Sequence, residues 1–276
     1  MNLVAQGPGA TPQHAAELAR MTAAQTIEGI AANAFRLRSA YPAEDVAAWC
    51  EAREIDWAWV TPGSTFDELR LVAMDMDSTL ITIECIDEIG GMLGIKAEIA
   101  AITESAMRGD IAYAESLRRR VALLAGLGVE ALERVYVEKL RLSPGAERLV
   151  AHCKAAGVRL LLVSGGFTFF TDRLKERLGL DYTCSNELEL HEGRLTGRLV
   201  GAVVDAEAKA AKLREIAAAL GATQHQTVAM GDGANDLKMM AAAGFSVAYR
   251  AKPVVRAQAS CAFMHCGLDG LINLYE

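Results

Sequence analysis

Leu71-Val72-Ala73-Met74-Asp75-Met76-Asp77-Ser78-Thr79 is the stretch on which the fold turns. Four consecutive apolar residues without polar alternation read as a strand covered on both faces, as in a parallel sheet. The run ends in two acids one residue apart, so the strand delivers charge at its carboxyl end. The same construction recurs downstream. Val158 to Val163 is a strand apolar except at Arg159 and followed by Ser164-Gly165-Gly166, and Val228 to Met230 is followed by Gly231-Asp232-Gly233-Ala234-Asn235-Asp236. Phe245 to Tyr249 is a further strand.

Helical patterns alternate with these strands. Ser143-Pro144 opens a helix to Ala156 closed by Gly157, a second starts after Ser164-Gly165-Gly166 and is capped by Gly179, and a third spans about 206–220. Leu188 to Val200 alternates around His191-Glu192-Gly193, a hairpin pattern. Strand–loop–helix alternation predicts an α/β fold with a doubly wound parallel sheet. In such sheets ligands bind outside the carboxyl ends of the strands, where Asp75, Asp77, Ser164, Asp232 and Asp236 all fall. Residues 84–142 interrupt the alternation with helices only, at about 86–93, 96–108, 111–125 and 129–141. They are expected to form a helical cap inserted into the main domain, residues 67–276. Residues 1–66 read as a small N-terminal α+β domain. Leu3 to Gln6 is a short strand there, Thr11-Pro12 opens a helix through Met21, and Pro42 opens another. Ile55, Trp57 and Trp59 form one face of a strand, either core or a ligand face, and Pro62-Gly63-Ser64 marks the boundary.

The chain has 276 residues, 52% of them hydrophobic and 23% charged, with 28 Lys plus Arg against 35 Asp plus Glu and a net charge of −7. That balance is globular, and the absence of a basic run argues against nucleic-acid binding. Cysteines at 50, 85, 153, 184, 261 and 266 contain no C-x-x-C and read as reduced thiols. The start lacks the basic and apolar regions of a signal peptide, and no apolar run is long enough for a membrane span, so a cytoplasmic protein is expected.

Asp75 and Asp77, two apart in an extended exit, can present carboxylates to one side; taken alone, such a pair is also an ordinary solvated loop. With Asp232 and Asp236 brought beside them, the acids would crowd one pocket and require a cation, for which Mg²⁺ suits hard oxygen ligands. Phosphoryl transfer calls for these parts. Asp75 can serve as nucleophile and Asp77 as general acid and base. Ser164 with the N–H groups of Gly165 and Gly166 can cradle an anion, although Ser-Gly-Gly is often only a tight turn. Lys209 is either a solvated helix lysine or a point charge on the phosphoryl oxygens and Asp75.

From about Leu71 to Met264 the chain resembles the haloacid-dehalogenase superfamily, and within it the phosphoserine phosphatases. Asp75-Met76-Asp77-Ser78-Thr79 matches the D-x-D-x-[TV] pattern, and Ser164, Lys209 and Gly231-to-Asp236 follow in the family's order. The resemblance implies an aspartyl-phosphate intermediate on Asp75. It also implies Mg²⁺ held by Asp75, the main-chain carbonyl of Asp77, and Asp232, with Asn235 and Asp236 supporting and Ser164, Gly165 and Asn235 facing substrate. Glu84 and Arg120 in the cap would then hold the amino and carboxylate groups of O-phospho-L-serine, under Met107 and Tyr113, where the family places a Phe at the second. Arg118 and Arg119 read as a solvated face. The reaction implied is the final step of L-serine biosynthesis; alternatives are another small phosphomonoester, phosphoryl transfer to an alcohol, or a phosphoacceptor signalling domain, which would lack the helical insertion. For residues 1–66 the resemblance leaves open a degenerate regulatory domain, a homodimer surface or a stabilising lid.

Overall fold

The structure, a computed structural model, describes residues 1–108 and 110–276, with the side chain of Met107 also outside the described part. The first sheet has four antiparallel strands, β1 (Asn2–Gln6), β2 (Thr26–Ala31), β3 (Ala34–Arg38) and β4 (Asp56–Val60), in the order β2-β3-β1-β4. Helix α1 (Pro12–Met21) begins where its capping signal placed it, with Thr11 Oγ1 accepting the His14 N–H at 3.2 Å. The helix expected from Pro42 starts only at Val46, as α2 (Val46–Glu51). Strands β2 and β3 went unpredicted: β2 is an almost wholly exposed edge strand, so burial imposes no alternation on it.

The tryptophans resolve as core. Trp57 and Trp59 are half-buried against a cluster that includes Leu3, Leu18 and Leu37, beneath α1 and α2. The opposite side of the same sheet joins the main core, because Val4, Ala58 and Val60 pack with it. Polar contacts reinforce that seam. The buried Asp56 carboxylate accepts the backbone N–H groups of Met264, His265 and Cys266 at 2.8, 2.9 and 2.7 Å, and Arg36 donates to the carbonyls of Asn273 and Tyr275.

The second sheet has seven strands: β5 (Leu71–Met74), β6 (Arg159–Phe167), β7 (Tyr182–His191), β8 (Arg194–Val200), β9 (Thr227–Gly231), β10 (Phe245–Tyr249) and β11 (Cys261–Phe263), ordered β11-β10-β9-β5-β6-β7-β8. Strand β5 is central, with Met74 opposite Leu162 on β6 and Met230 on β9, both parallel; only β7 and β8, the expected hairpin, pair antiparallel. Because side chains alternate across a strand, β5 feeds two cores. Val72 and Met74 pack with Leu149, Phe170 and Leu174 from α7 (Ala146–Ala155) and α8 (Thr168–Leu178). Leu71 and Ala73 pack with Leu213, Met239 and Val255 from α9 (Ala206–Ala219), α10 (Leu237–Ala242) and α11 (Pro253–Arg256). Helices on both faces of a mostly parallel sheet are the doubly wound arrangement expected.

The cap carries α3 (Cys85–Leu93), α4 (Lys96–Met107), α5 (Tyr113–Ala122) and α6 (Glu130–Arg134), the last running into a π-helical turn over Val135–Lys139. Its two stalks are zipped together, with Thr82 N–H on the Arg141 carbonyl at 3.0 Å and Ser143 N–H on the Leu80 carbonyl at 2.9 Å. Among the described residues no helix is long and apolar enough to cross a membrane.

Candidate active site

Asp75 leaves β5 still hydrogen-bonded to the sheet, its N–H on the Met230 carbonyl at 3.0 Å, and is 5% exposed. The chain then turns sharply through Met76–Leu80, with Ser78 at φ +56°, a conformation costly for a residue with a Cβ. The turn aims Thr79 at the neighbouring loop, where its hydroxyl donates to Asp232 Oδ1 at 3.2 Å. The loop after β9 supplies Asp232 and Asp236. Asp236 folds back to accept the Gly233 N–H at 3.0 Å, passing so close to Gly231 that a Cβ there would strike its carboxyl group.

Lys209 enters from α9, whose start is pinned by the Asp205 side chain accepting the Ala208 N–H. Its ammonium has no solvent exposure and reaches Asp75 Oδ1 at 2.5 Å and Asp236 Oδ1 at 2.7 Å. A solvated helix lysine is therefore excluded. The carboxylates of Asp75, Asp232 and Asp236 converge, with one oxygen from each lying within 4.8 Å of the others. Three carboxylates and one ammonium leave two negative charges uncompensated when all are ionised. Burial first, and then Asp236, push Asp75 well above the usual carboxylate range against the pull of Lys209. Burial, Asp236 and Glu84 raise Asp232 to about 7. Burial pulls Lys209 down, but Asp236 and Asp75 outweigh it and hold the ammonium charged. A divalent cation against Asp75 and Asp232 matches that deficit, and an all-oxygen donor set suits a hard ion. The convergence on Asp75, Asp232 and Asp236 thus differs in one member from the set the resemblance implied, since Asp236 also serves as the anchor of Lys209.

Asp77 sits on the cap side of this cluster. Its Oδ1 accepts the Cys85 N–H at 3.0 Å, the first turn of α3, so the cap helix touches the acid directly. Burial first and the Glu84 carboxylate second raise Asp77 to about 7, opposed by the Cys85 hydrogen bond. Glu84 keeps solvent contact and accepts the Ser78 hydroxyl at 2.6 Å; burial raises its pKa most, and Arg120 works the other way.

The Ser-Gly-Gly segment departs from expectation. Strand β6 runs on through Phe167 and α8 begins only at Thr168, so Gly165 and Gly166 are not at a helix N-terminus. They form instead a bulge in the strand. Ser164 is fully buried with its Oγ accepting the Gly166 N–H at 2.8 Å, and Gly165 faces the cap so closely that a Cβ would meet the Tyr113 hydroxyl. The cap thus rests on this bulge. Arg118 and Arg119 are exposed, Arg119 pairing with Glu115 at 2.7 Å, whereas Arg120 is half-buried and donates from Nε to the Ser116 carbonyl at 3.4 Å. Asn235 is half-buried in the turn Ala234–Asp236, and Met107 falls outside the described side chains. One participant, Asn186 on β7, was not among the sequence candidates, since a single polar residue in a strand carries no motif; its amide holds the Gly165 and Gly166 carbonyls.

The family model for haloacid dehalogenase-like hydrolases matches residues 72–241. A phosphoserine phosphatase from Polaromonas sp. is 57% identical over 221 residues, 78% of this chain and 94% of that one. The unliganded crystal structure of a probable phosphoserine phosphatase from Vibrio cholerae superposes with a TM-score of 0.87 at 39% identity, covering 99% of this chain and 86% of the other. A substrate-bound phosphoserine phosphatase complex matches 75% of this chain and 99% of its own, with a TM-score of 0.70 at 36% identity. With the carboxylate cluster at the strand ends, the cap over it and a family match across well over half its length, the chain belongs to the haloacid dehalogenase-like hydrolase family.

Proposed function

We propose that the chain hydrolyses O-phospho-L-serine to L-serine and phosphate through a phospho-enzyme intermediate on Asp75, with Mg²⁺ as its metal. The observation that carries the substrate is the cap's charge pattern over the phosphate end of the site. The half-buried Arg120 pairs with no carboxylate among the described residues and stands within electrostatic reach of both Glu84 and Tyr113. A guanidinium and a carboxylate facing one pocket complement the carboxylate and ammonium of an amino acid. The phosphoserine phosphatases to which the chain is similar support the same substrate.

Bound by Asp75, the Asp77 carbonyl and Asp232, the metal would neutralise the phosphoryl oxygens. The chain's own groups do the rest. Asp75 attacks phosphorus while the bond to the serine oxygen breaks. Lys209 favours the ionised form of Asp75 against the burial that opposes it and fixes its orientation by bridging it to Asp236. Asp77, raised to about 7, gives its proton to the departing serine oxygen and then takes one from the water that opens the aspartyl phosphate. Ser164 and Gly165 cradle the phosphate, and Tyr113 closes over it; Met107, which the resemblance also implies there, lies outside the described side chains. Asn235 steadies the loop that carries Asp232. In this reading residues 67–276 are the catalytic domain with its cap at about 84–142, residues 1–66 a small appended domain, and the enzyme works in the cytoplasm.

The test is Arg120→Ala assayed on phosphoserine, phosphoethanolamine and p-nitrophenyl phosphate. Leaving a carboxylate without its bidentate partner costs about 2–5 kcal/mol, so kcat/KM for phosphoserine should fall ~10²-fold or more. The other two substrates, which have no carboxylate, should change little. Equal losses on all three would make Arg120 a structural residue and remove the phosphoserine assignment, leaving only the phosphatase chemistry.

A further inference from the structure

The bulge that carries Ser164 and Gly165 poses a hydrogen-bonding problem. Val163 pairs with Cys184 and Phe167 with Asn186, so four steps along β6 face two along β7. The extra residues leave the parallel ladder, and their carbonyls lose the backbone donors that β7 would supply. Buried carbonyls without partners are costly, so something must replace those donors. The Asn186 side chain does so. Its Nδ2 donates to the Gly165 carbonyl at 2.8 Å and to the Gly166 carbonyl at 3.3 Å. Its Oδ1 accepts the Val204 N–H at 2.8 Å, and the residue is 2% exposed. With carbonyls at one end and an N–H at the other, the amide has only one satisfied orientation.

Val204 directly precedes Asp205, the N-cap of α9, and α9 carries Lys209. One buried amide therefore bridges the two segments that meet the phosphoryl group from different strands, the Ser164 bulge and the Lys209 helix. We infer that Asn186 is a positioning residue for phosphoryl binding, setting the separation between the Ser164–Gly165 bulge and the Lys209 ammonium. This rests on the assignment of both segments to phosphate binding. An error of about 1 Å in such a site is enough to cost ~10²-fold in rate, and the Asn186 side chain bonds to Gly165, Gly166 and Val204 rather than to Glu84 or Arg120 at the amino-acid end.

Asn186→Asp is the informative variant, since it keeps the shape but turns both donors into acceptors facing the Gly165 and Gly166 carbonyls. Leu18→Ala, in the N-terminal core, serves as a destabilised control for loss of Tm alone. Three readouts are compared at a temperature where both variants remain folded. Hydrogen exchange should accelerate in peptides covering 163–168 and 201–209 of Asn186→Asp and not in Leu18→Ala. The Kd of inorganic phosphate in the presence of Mg²⁺ should rise about tenfold or more. The kcat/KM values for phosphoserine and p-nitrophenyl phosphate should fall by a common factor of ~10². Unchanged exchange in both peptides, or phosphate affinity and kcat/KM within threefold of wild type, would overturn the inference. So would a loss matched by Leu18→Ala, or one confined to phosphoserine. If the wild-type protein cleaves p-nitrophenyl phosphate but not phosphoserine, the substrate reading fails while the exchange and phosphate-affinity arms still decide the role of Asn186.

Discussion

Replacing Lys209 by Met should reveal how much of the molecule's stability is tied to the carboxylate cluster proposed as its active site. Met keeps the length and apolar stem of lysine and removes only the charge. In the native protein the ammonium is sealed from solvent between Asp75 at 2.5 Å and Asp236 at 2.7 Å, with Asp232 in the same cluster. Removing one partner of a buried ion pair leaves uncompensated charge and costs about 3–5 kcal/mol. For a chain of this size the urea m-value lies near the upper end of the usual range, about 3 kcal/mol/M. The urea midpoint of the metal-free variant at pH 8 should therefore drop by roughly 1–2 M. The deficit should shrink at pH 5, where Asp75 and Asp232, already pushed upward by burial and then by Asp236, take up protons and cease to repel. Asp236→Asn added to Lys209→Met should recover part of the loss, because it deletes one of the orphaned carboxylates. A midpoint shift below about 0.3 M at pH 8, with the double variant no more stable than the single, would refute the view that this ammonium compensates buried charge.

Asp75→Asn should abolish phosphate release while retaining the wild-type circular dichroism spectrum; turnover near wild type in protein free of contaminating enzyme would exclude Asp75 as nucleophile. Asp77→Asn should slow enzyme phosphorylation by phosphoserine about 10²–10⁴-fold but affect p-nitrophenyl phosphate far less, since nitrophenolate leaves without a proton; equal burst-phase losses would restrict Asp77 to ordering the site. The gain in Tm on adding Mg²⁺ should be larger at pH 8 than at pH 5. The folded-state pKa of Asp232, about 7, exceeds its unfolded value, so the metal-free fold binds more protons than the unfolded chain between roughly pH 4 and 7 and loses stability as pH rises through that window. A cation opposes that loss only where the carboxylates are ionised, and a Tm gain independent of pH would count against binding at Asp232.

Much of the architecture was legible because it rests on local rules. Leu71 to Met74 is apolar throughout since a central parallel strand is covered on both sides, and the structure places it between β6 and β9. The Thr11 cap and the glycines at 157 and 179, at φ +71° and +63°, mark helix ends by backbone chemistry that each residue carries with it. The acids after β5 and β9 were readable for the same reason: a strand that must be apolar makes charge at its end conspicuous. Elements that no core compels were not readable. The exposed edge strand β2 carries no burial pattern, and Pro42, which can open a helix or an extended segment equally well, precedes α2 by several residues.

The proposed active site divides along the same line. Asp75, Asp77, Asp232 and Lys209 could be named from residue type and position, yet their state could not. Whether Lys209 is solvated or sealed depends on how α9 lies across the ends of β5 and β9, and the fold places it with no exposure between Asp75 and Asp236. The Ser164 segment looked like a turn into a helix; the register of β6 against β7 makes it a bulge, because β7 pairs again at Phe167 before α8 can begin. Asn186 gains its role only from that register, and Asp77 meets the α3 N-terminus only because the cap stalks fold back together. Sequence determines what each residue can do; apart from the Asp77–Cys85 bond, these hydrogen bonds join positions 21 to 134 residues apart, and only the packed sheet sets the distances at which charge, burial and hydrogen bonding act on one another.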